Sequence, residues 1–325
     1  MKILITGAGG FIGSFLVDEA LRRGMEVYAA VRRTTVRRYL TDPRIHFVEA
    51  DLSGSGRIAL EEQFDYAVHA AGVTKSADAT NFDRVNCGGT KALVEALAAS
   101  SPKLKKFVFI SSLSVMGAIA ESEPHREITA ADSPQPNTAY GRSKLKAEEY
   151  LDSITAFPIV TLRPTGVYGP REKDYLLMVQ SIARHMDFAA GYKRQDITFI
   201  YVADLVQAVF KALETGKAGE KYLLSDGNTY TSRTFSELIK KELGTWALRI
   251  TAPLWLLKAV TTAGEVIGRR TGRVTALNAD KYNILSQRNW KCDITPAREQ
   301  LGFAPEYDLE RGVKETISWY KGVKN

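Results

Sequence analysis

Cysteine is scarce. Cys87 and Cys292 are the only two in 325 residues, and they stand far apart. They cannot build a disulfide framework and fall in no zinc-ligand spacing, so no metal is expected and a reducing, cytoplasmic location is. Long apolar runs are missing as well: a stretch such as Ala252 to Leu257 is far short of the roughly 20 residues a membrane-spanning helix needs. The N-terminal run Lys2 to Thr6 ends in glycines and lacks the basic region and small-residue site of a signal peptide, so no cleavage is expected. Neither a repeat nor a low-complexity segment occurs. Charge of one sign is modest: Lys+Arg 44 against Asp+Glu 37 gives +7. The basic residues fall in scattered doublets (Arg32-Arg33, Lys105-Lys106, Arg269-Arg270) without interleaved aromatics, a poor match to a nucleic-acid surface. What is present is globular material, 45% hydrophobic and 25% charged, enough for one large domain or two.

Short β-branched runs at Lys2–Thr6, Glu26–Val31, Ile45–Glu49, Tyr66–His69, Lys106–Ile110 and Ile159–Arg163 alternate with helical periods. In the first of these helices Phe11, Ile12, Phe15, Leu16, Ala20 and Leu21 share a stripe, and Gly24 ends it. Another, over about 82–99, turns Val85, Leu93, Val94 and Leu97 inward. The alternation predicts an α/β fold, a doubly wound parallel sheet of Rossmann type. Beyond Gly169-Pro170 the pattern weakens, although Phe199 to Val202 and Asp204 to Leu213 read as one more strand and helix returning to the sheet. The expected division is a dinucleotide-binding domain, 1–170 plus about 192–215, and a smaller substrate lobe, 171–191 plus 216–325.

Thr6 to Gly13 follows a strand and opens a helix, with glycines at 7, 10 and 13. Gly7 permits the tight turn, Gly10 lets a pyrophosphate approach the backbone, and Gly13 lets helix and strand pack; Phe11 and Ile12 lie at the helix start, whose N–H groups face the anion. An acid about 20 residues on would hold the ribose of NAD, but Tyr28 to Arg38 contains none and carries four arginines. Guanidinium groups such as those of Arg32 and Arg37 suit a 2′-phosphate, which favours NADP(H) over NAD(H); the other reading is a solvated basic turn. Asp51-Leu52 after the third strand is either an adenine-edge contact or a capping acid.

Tyr140 and Lys144 lie four apart and therefore share a helix face. A phenol titrates near 10 and needs a neighbouring cation to act as acid or base near neutrality, which Lys144 and an oxidised nicotinamide would supply. Ser111-Ser112 closes the strand Lys106–Ile110 at the ligand edge, where Ser112 could bond a substrate oxygen beside Tyr140; alone, the pair is an ordinary turn.

Together these residues resemble the short-chain dehydrogenase/reductase superfamily, in its extended, epimerase/dehydratase-like branch. The likeness covers about 215 residues: the glycine loop, His69-Ala70-Ala71-Gly72, Asn86 with Gly89-Thr90, Ser111-Ser112, Tyr140 with Ser143-Lys144, Leu162-Arg163-Pro164 with Val167 to Pro170, and Tyr201-Val202 with Asp204-Leu205. The resemblance implies a catalytic trio of Ser112, Tyr140 and Lys144, with Asn86 as a relay or structural residue. It adds Ala70, Ala71, Gly72, Ser111, Pro164 and Val167 to the expected cofactor contacts. It also implies a homodimer through helices near 82–99 and 141–152.

Departures from the family pattern narrow the chemistry. Dehydratases of this branch have Asp-Glu after the catalytic hydroxyl; here Leu113-Ser114 stands there. Nucleotide-sugar epimerases carry an Asn and an Arg where this chain has Gly166 and Ile197, although Arg171, Lys173, Lys193 or Arg194 could compensate. The wording Leu162 to Pro170 looks like that of reductases and hydroxysteroid-dehydrogenase-like members. The expectation is therefore a reductase or dehydrogenase for an apolar lipid-, steroid- or flavonoid-like ketone or alcohol. A nucleotide-sugar 4-epimerase with retained NAD is the alternative, and a non-catalytic dinucleotide sensor the lesser one. The apolar, then basic, segment 252–273 either lines an apolar pocket or rests on an anionic membrane surface.

Overall fold

The computed structural model describes residues 1–53, 58–76, 78–271 and 278–324. Strand β1 (Lys2–Thr6) leads through the glycine loop into α1 (Phe11–Arg22) and β2 (Glu26–Val31), followed by β3 (His46–Glu49) and β4 (Tyr66–His69). A continuous helical stretch comes next: α2 (Thr80–Phe82), a π-helical turn at Asp83–Gly88, and α3 (Gly89–Ser100). Then come β5 (Lys106–Ile110), a short 3₁₀ turn at Leu113–Val115, α4 (Ala139–Asp152) and β6 (Ile159–Pro164). The six strands anticipated in this half form, within a residue at their ends.

The next elements are β7 (Gly166–Tyr168), α5 (Asp174–Ala183), β8 (Met186–Ala190), β9 (Asp196–Ile197), β10 (Phe199–Tyr201), α6 (Val202–Thr215) and β11 (Lys221–Leu224). After β12 (Tyr230–Thr231), α7 (Thr234–Leu243) and β13 (Leu248–Ala252), the chain ends in α8 (Leu254–Thr271), α9 (Ala279–Ser286), α10 (Thr295–Leu301) and α11 (Leu309–Lys324). The last two residues of the 252–273 segment lie outside the described residues.

Seven strands make one sheet in the order β3-β2-β1-β4-β5-β6-β11, every neighbour parallel. The order reverses between β1 and β4, and that crevice at the carboxyl ends of the strands is where such sheets take ligands. Because strand side chains alternate, each strand feeds two cores. Ile3, Ile5, Val108 and Ile110 meet Leu16 and Val17 of α1 and Leu205 and Val209 of α6 on one face. Leu4, Phe107 and Phe109 meet Leu93 and Leu97 of α3 and Leu151 of α4 on the other.

The return of Phe199 to Val202 to the main sheet does not occur. β10 instead pairs with β7 in a separate two-stranded ribbon. The seventh strand is β11, a four-residue run in the stretch expected to belong to the lobe. Two further ribbons, β9 with β12 and β8 with β13, belong to the region beyond residue 185.

The sheet and its helices are tied by a buried ion pair. Arg163 on β6 and Glu148 on α4 have side chains 4% and 0% exposed and meet at 2.6 Å. Ser111 at the end of β5 donates to the same carboxylate, and Lys221 of β11 stands 3.7 Å from it. Removing one partner of such a pair leaves a buried charge without compensation. Glu148→Ala is therefore expected to lower the free energy of unfolding by about 3–5 kcal/mol, read by denaturant titration; a loss within experimental error would show that the pair holds nothing together.

Candidate active site

The glycine loop closes on itself and on the end of β4. Gly7 adopts φ +70°, and a Cβ there would lie 2.7 Å from Ala71 N. A Cβ on Gly13 would lie 2.1 Å from the Gly7 carbonyl oxygen. Only glycine fits either place, for the first reason of backbone conformation and the second of contact. Ala71 N donates to Thr6 Oγ1 at 3.2 Å, so Ala70, Ala71 and Gly72 run beside the loop. Gly10 is the N-cap of α1 and supplies no capping side chain, which leaves the N–H groups of Phe11 and Ile12 open to an anion.

Ser112 follows the end of β5, while Tyr140 and Lys144 lie four residues apart on α4. Ser112 caps the 3₁₀ turn, its Oγ accepting from Ser114 N at 3.1 Å. Burial pushes the Tyr140 phenol up to about 12, and the nearby Ser112 hydroxyl acts against that rise. Burial pulls Lys144 the opposite way, down to about 8, with Glu148 acting against it. The Lys144 ammonium donates to the Ile110 carbonyl at 2.8 Å and lies 4.5 Å from the Phe109 ring centroid. The acidification of Tyr140 expected from Lys144 is not what the geometry favours: the lysine is engaged on the strand, and desolvation sets the direction of the phenol's shift.

Asn86 lies in the π-helical turn and is buried. Its amide receives Val73 N at 2.8 Å and donates to Val73 O at 3.0 Å and to Ser143 Oγ at 2.9 Å. It therefore fastens the chain after β4 to α4. A Cβ on Gly72 would lie 3.0 Å from Asn86 Oδ1 and 3.5 Å from Lys144 Nζ, so loop, amide and ammonium converge. His69 is buried between Thr6 and Thr90, and desolvation holds its pKa at about 3, a neutral spacer.

Other expected contacts stand differently. Ser111 turns inward and spends its hydroxyl on Glu148. Arg37 lies over the Phe47 ring at 3.9 Å and Arg32 is exposed. Asp51 accepts from Ser53 N at 2.9 Å, while Leu52 is buried with its carbonyl against Gly89. Pro164 is buried and Val167 half-buried, at the end of β6 and within β7. Of the cations named as compensation, Arg171 bonds Ser14 and Asp18, and Arg194 bonds Asp196.

Sequence reasoning missed Asp280. From α9 its carboxylate accepts from Ala139 N at 2.9 Å and from Tyr140 N at 3.2 Å, while Thr138 Oγ1 accepts from Gly141 N at 2.9 Å. Two acceptors thus cap the helix that carries Tyr140, one of them an anion at the positive end of its dipole.

The cap and the buried phenol can each be probed. Asp280→Ala is expected to cost about 1 kcal/mol of stability and to reduce kcat while dinucleotide affinity stays unchanged, as checked by thermal unfolding and steady-state kinetics. Added positive charge favours a phenolate, so an oxidised dinucleotide should lower the pKa of Tyr140 from its value of about 12. Phenolate absorbance of the wild type minus that of Tyr140→Phe, titrated with and without NAD, reads the shift; coincident curves would refute it.

Comparison with known proteins shows which family the chain belongs to. The NAD dependent epimerase/dehydratase family matches residues 3–225. A UDP-glucose 4-epimerase of Vibrio cholerae is 26% identical over 344 residues, covering 100% of this chain and 97% of its own. A dTDP-glucose 4,6-dehydratase of an Actinoplanes species is 28% identical over 352 residues, covering 100% and 99%. Among solved structures, the UDP-glucuronic acid 4-epimerase of Bacillus cereus in complex with NAD has the same fold, with a TM-score of 0.79 at 22% identity and full coverage of both chains. The likeness to extended short-chain dehydrogenases/reductases inferred from the motifs therefore holds, and with well over half of its length matched, the chain belongs to the NAD dependent epimerase/dehydratase family and is one of its enzymes.

Proposed function

We propose that the protein is a nucleotide-sugar 4-epimerase working with an NAD that it retains. The observation that carries this is the pair of residues directly after the candidate hydroxyl. Next to Ser112 come Leu113, buried in the core, and Ser114. No carboxylate pair stands there to eliminate water, whereas a hydroxyl, a phenol and an ammonium suffice for reversible oxidation at a carbinol carbon. The relatives named above as acting on nucleotide sugars are epimerases and dehydratases, and this difference favours the former. The apolar ketone or alcohol expected from the wording of Leu162 to Pro170 finds no support among them.

The glycine cradle fits a dinucleotide, because a Cβ at Gly7 or Gly13 would fill it and the uncapped start of α1 suits a pyrophosphate. Arg37 is spent on Phe47, which removes part of the case for a 2′-phosphate and supports NAD over NADP(H). When bound, NAD supplies hydride exchange at the carbinol carbon. Ser112 Oγ holds the substrate oxygen, Tyr140 Oη takes the hydroxyl proton and gives it back when the opposite configuration forms, and Lys144 holds the ribose and favours the phenolate. Asn86 keeps that helix and the chain after β4 in register. At Gly166 a Cβ would lie 2.8 Å from the Tyr175 hydroxyl, so an amide side chain there would displace the end of Tyr175, which offers a polar contact at that place.

The purified protein is expected to release NAD on denaturation and to equilibrate a UDP-hexose with its C4 epimer without net consumption of cofactor. Tyr140→Phe should slow this by at least about 100-fold and still retain NAD. Stoichiometric NADPH oxidation with a ketone, or a dehydrated 4-keto product, would overturn the assignment.

A further inference from the structure

Exposed apolar side chains are not spread evenly over this protein. Among the described residues fifteen large ones are strongly exposed, and twelve of them lie between residues 177 and 267. The ribbon of β8 and β13 shows why. Met186 pairs with Leu248 and Phe188 with Ile250, so all four share one face, and Phe188 and Leu248 are 61% and 64% exposed. The alternate residues turn inward: Asp187 is buried and takes Lys240 at 3.2 Å. The ribbon is thus polar inside and apolar outside, the reverse of a half-buried sheet. Through Pro253 it continues into α8, whose Leu254 packs on Gly191 beside the ribbon, and there Trp255 and Ile267 are 71% and 57% exposed. Contiguous exposed apolar surface of this kind marks a contact site.

Charge identifies the contact. Among the described residues of 184–194 and 246–264 the exposed charged side chains are Arg184, Lys193, Arg194 and Lys258, all basic, while the one acid, Asp187, is buried against Lys240 and Arg249. Two copies meeting through this face would oppose like charges, whereas an anionic bilayer offers both apolar depth and complementary charge. None of the described helices is long and apolar enough to cross a membrane. We propose that the ribbon β8–β13 and helix α8 dock the protein on the surface of an anionic lipid bilayer, with Trp255, Phe188 and their neighbours in the headgroup region.

Flotation of the full chain with phosphatidylcholine vesicles, with or without about 30% phosphatidylglycerol, tests this. Binding is expected to the anionic vesicles only, to weaken in about 0.5 M NaCl, and to fall at least about tenfold in the double variant Phe188→Ser, Trp255→Ser. The exposed positions make that variant foldable, and an unchanged thermal midpoint and NAD content confirm it. A second variant, Lys193→Glu with Lys258→Glu, should lose binding with the apolar face intact. Failure of the wild type to float with anionic vesicles, binding that the variants leave unchanged, or self-association through this face in light scattering would overturn the proposal.

Discussion

The carboxylate of Glu148 is the point on which the candidate active edge of the sheet is hung. Completely buried, it takes Arg163 of β6 at 2.6 Å and Ser111 of β5, with Lys221 of β11 at 3.7 Å. A lone charge at that depth would be strongly destabilising, so the helix bearing it can pack only in the register that brings these partners together. That register also fixes Lys144 and Tyr140, four and eight residues earlier on the same helix, and Ser112, the neighbour of Ser111 at the strand end. One electrostatic constraint in the core therefore sets the geometry of groups at the surface of the crevice.

Tyr140 and Lys144, the candidate acid–base pair, sit where desolvation disfavours both charged forms. Burial pushes the Tyr140 phenol up to about 12 and the Lys144 ammonium down to about 8, each toward its neutral form. These shifts oppose the chemistry a phenol–ammonium pair would perform, and the nearby Ser112 hydroxyl alone does not reverse them. A ligand that brings a positive charge to the crevice would favour the phenolate and thereby couple binding to activation. His69, pinned neutral at about 3, adds no competing cation beside the glycine loop.

What the sequence disclosed and what it hid divide along physical lines. The glycine loop, the strands flanking it and the Tyr140–Lys144 spacing are local signals, set by backbone conformation and by helix or strand period. The Glu148–Arg163 pair was hidden because Glu148-Glu149 looks like the solvated face of an amphipathic helix until the strand opposite is known. Asp280 was hidden by distance, since its carboxylate reaches back 140 residues to the start of α4. β11 is four residues long and resembles any short apolar run. In β8 and β13 the alternation is plain, but alternation states that one face is apolar without stating which face meets water. The ion pairs of Asp187 with Lys240 and Arg249 on the inner side decide it.

The inverted ribbon also separates two uses of positive charge. A basic lobe draws any anion, nucleotide or lipid, and long-range attraction alone does not distinguish them. Exposed Phe188, Leu248 and Trp255 do, because a diphosphate gains nothing from apolar side chains, whereas a bilayer surface gains by burying them. The crevice between β1 and β4 supplies the opposite combination: N–H groups at a helix start and a few fixed polar atoms, with the apolar residues turned into the two cores. Recognition of a nucleotide and contact with a lipid surface thus call on different parts of the chain, and the lobe can carry the second without loosening the geometry that Glu148 holds for the first.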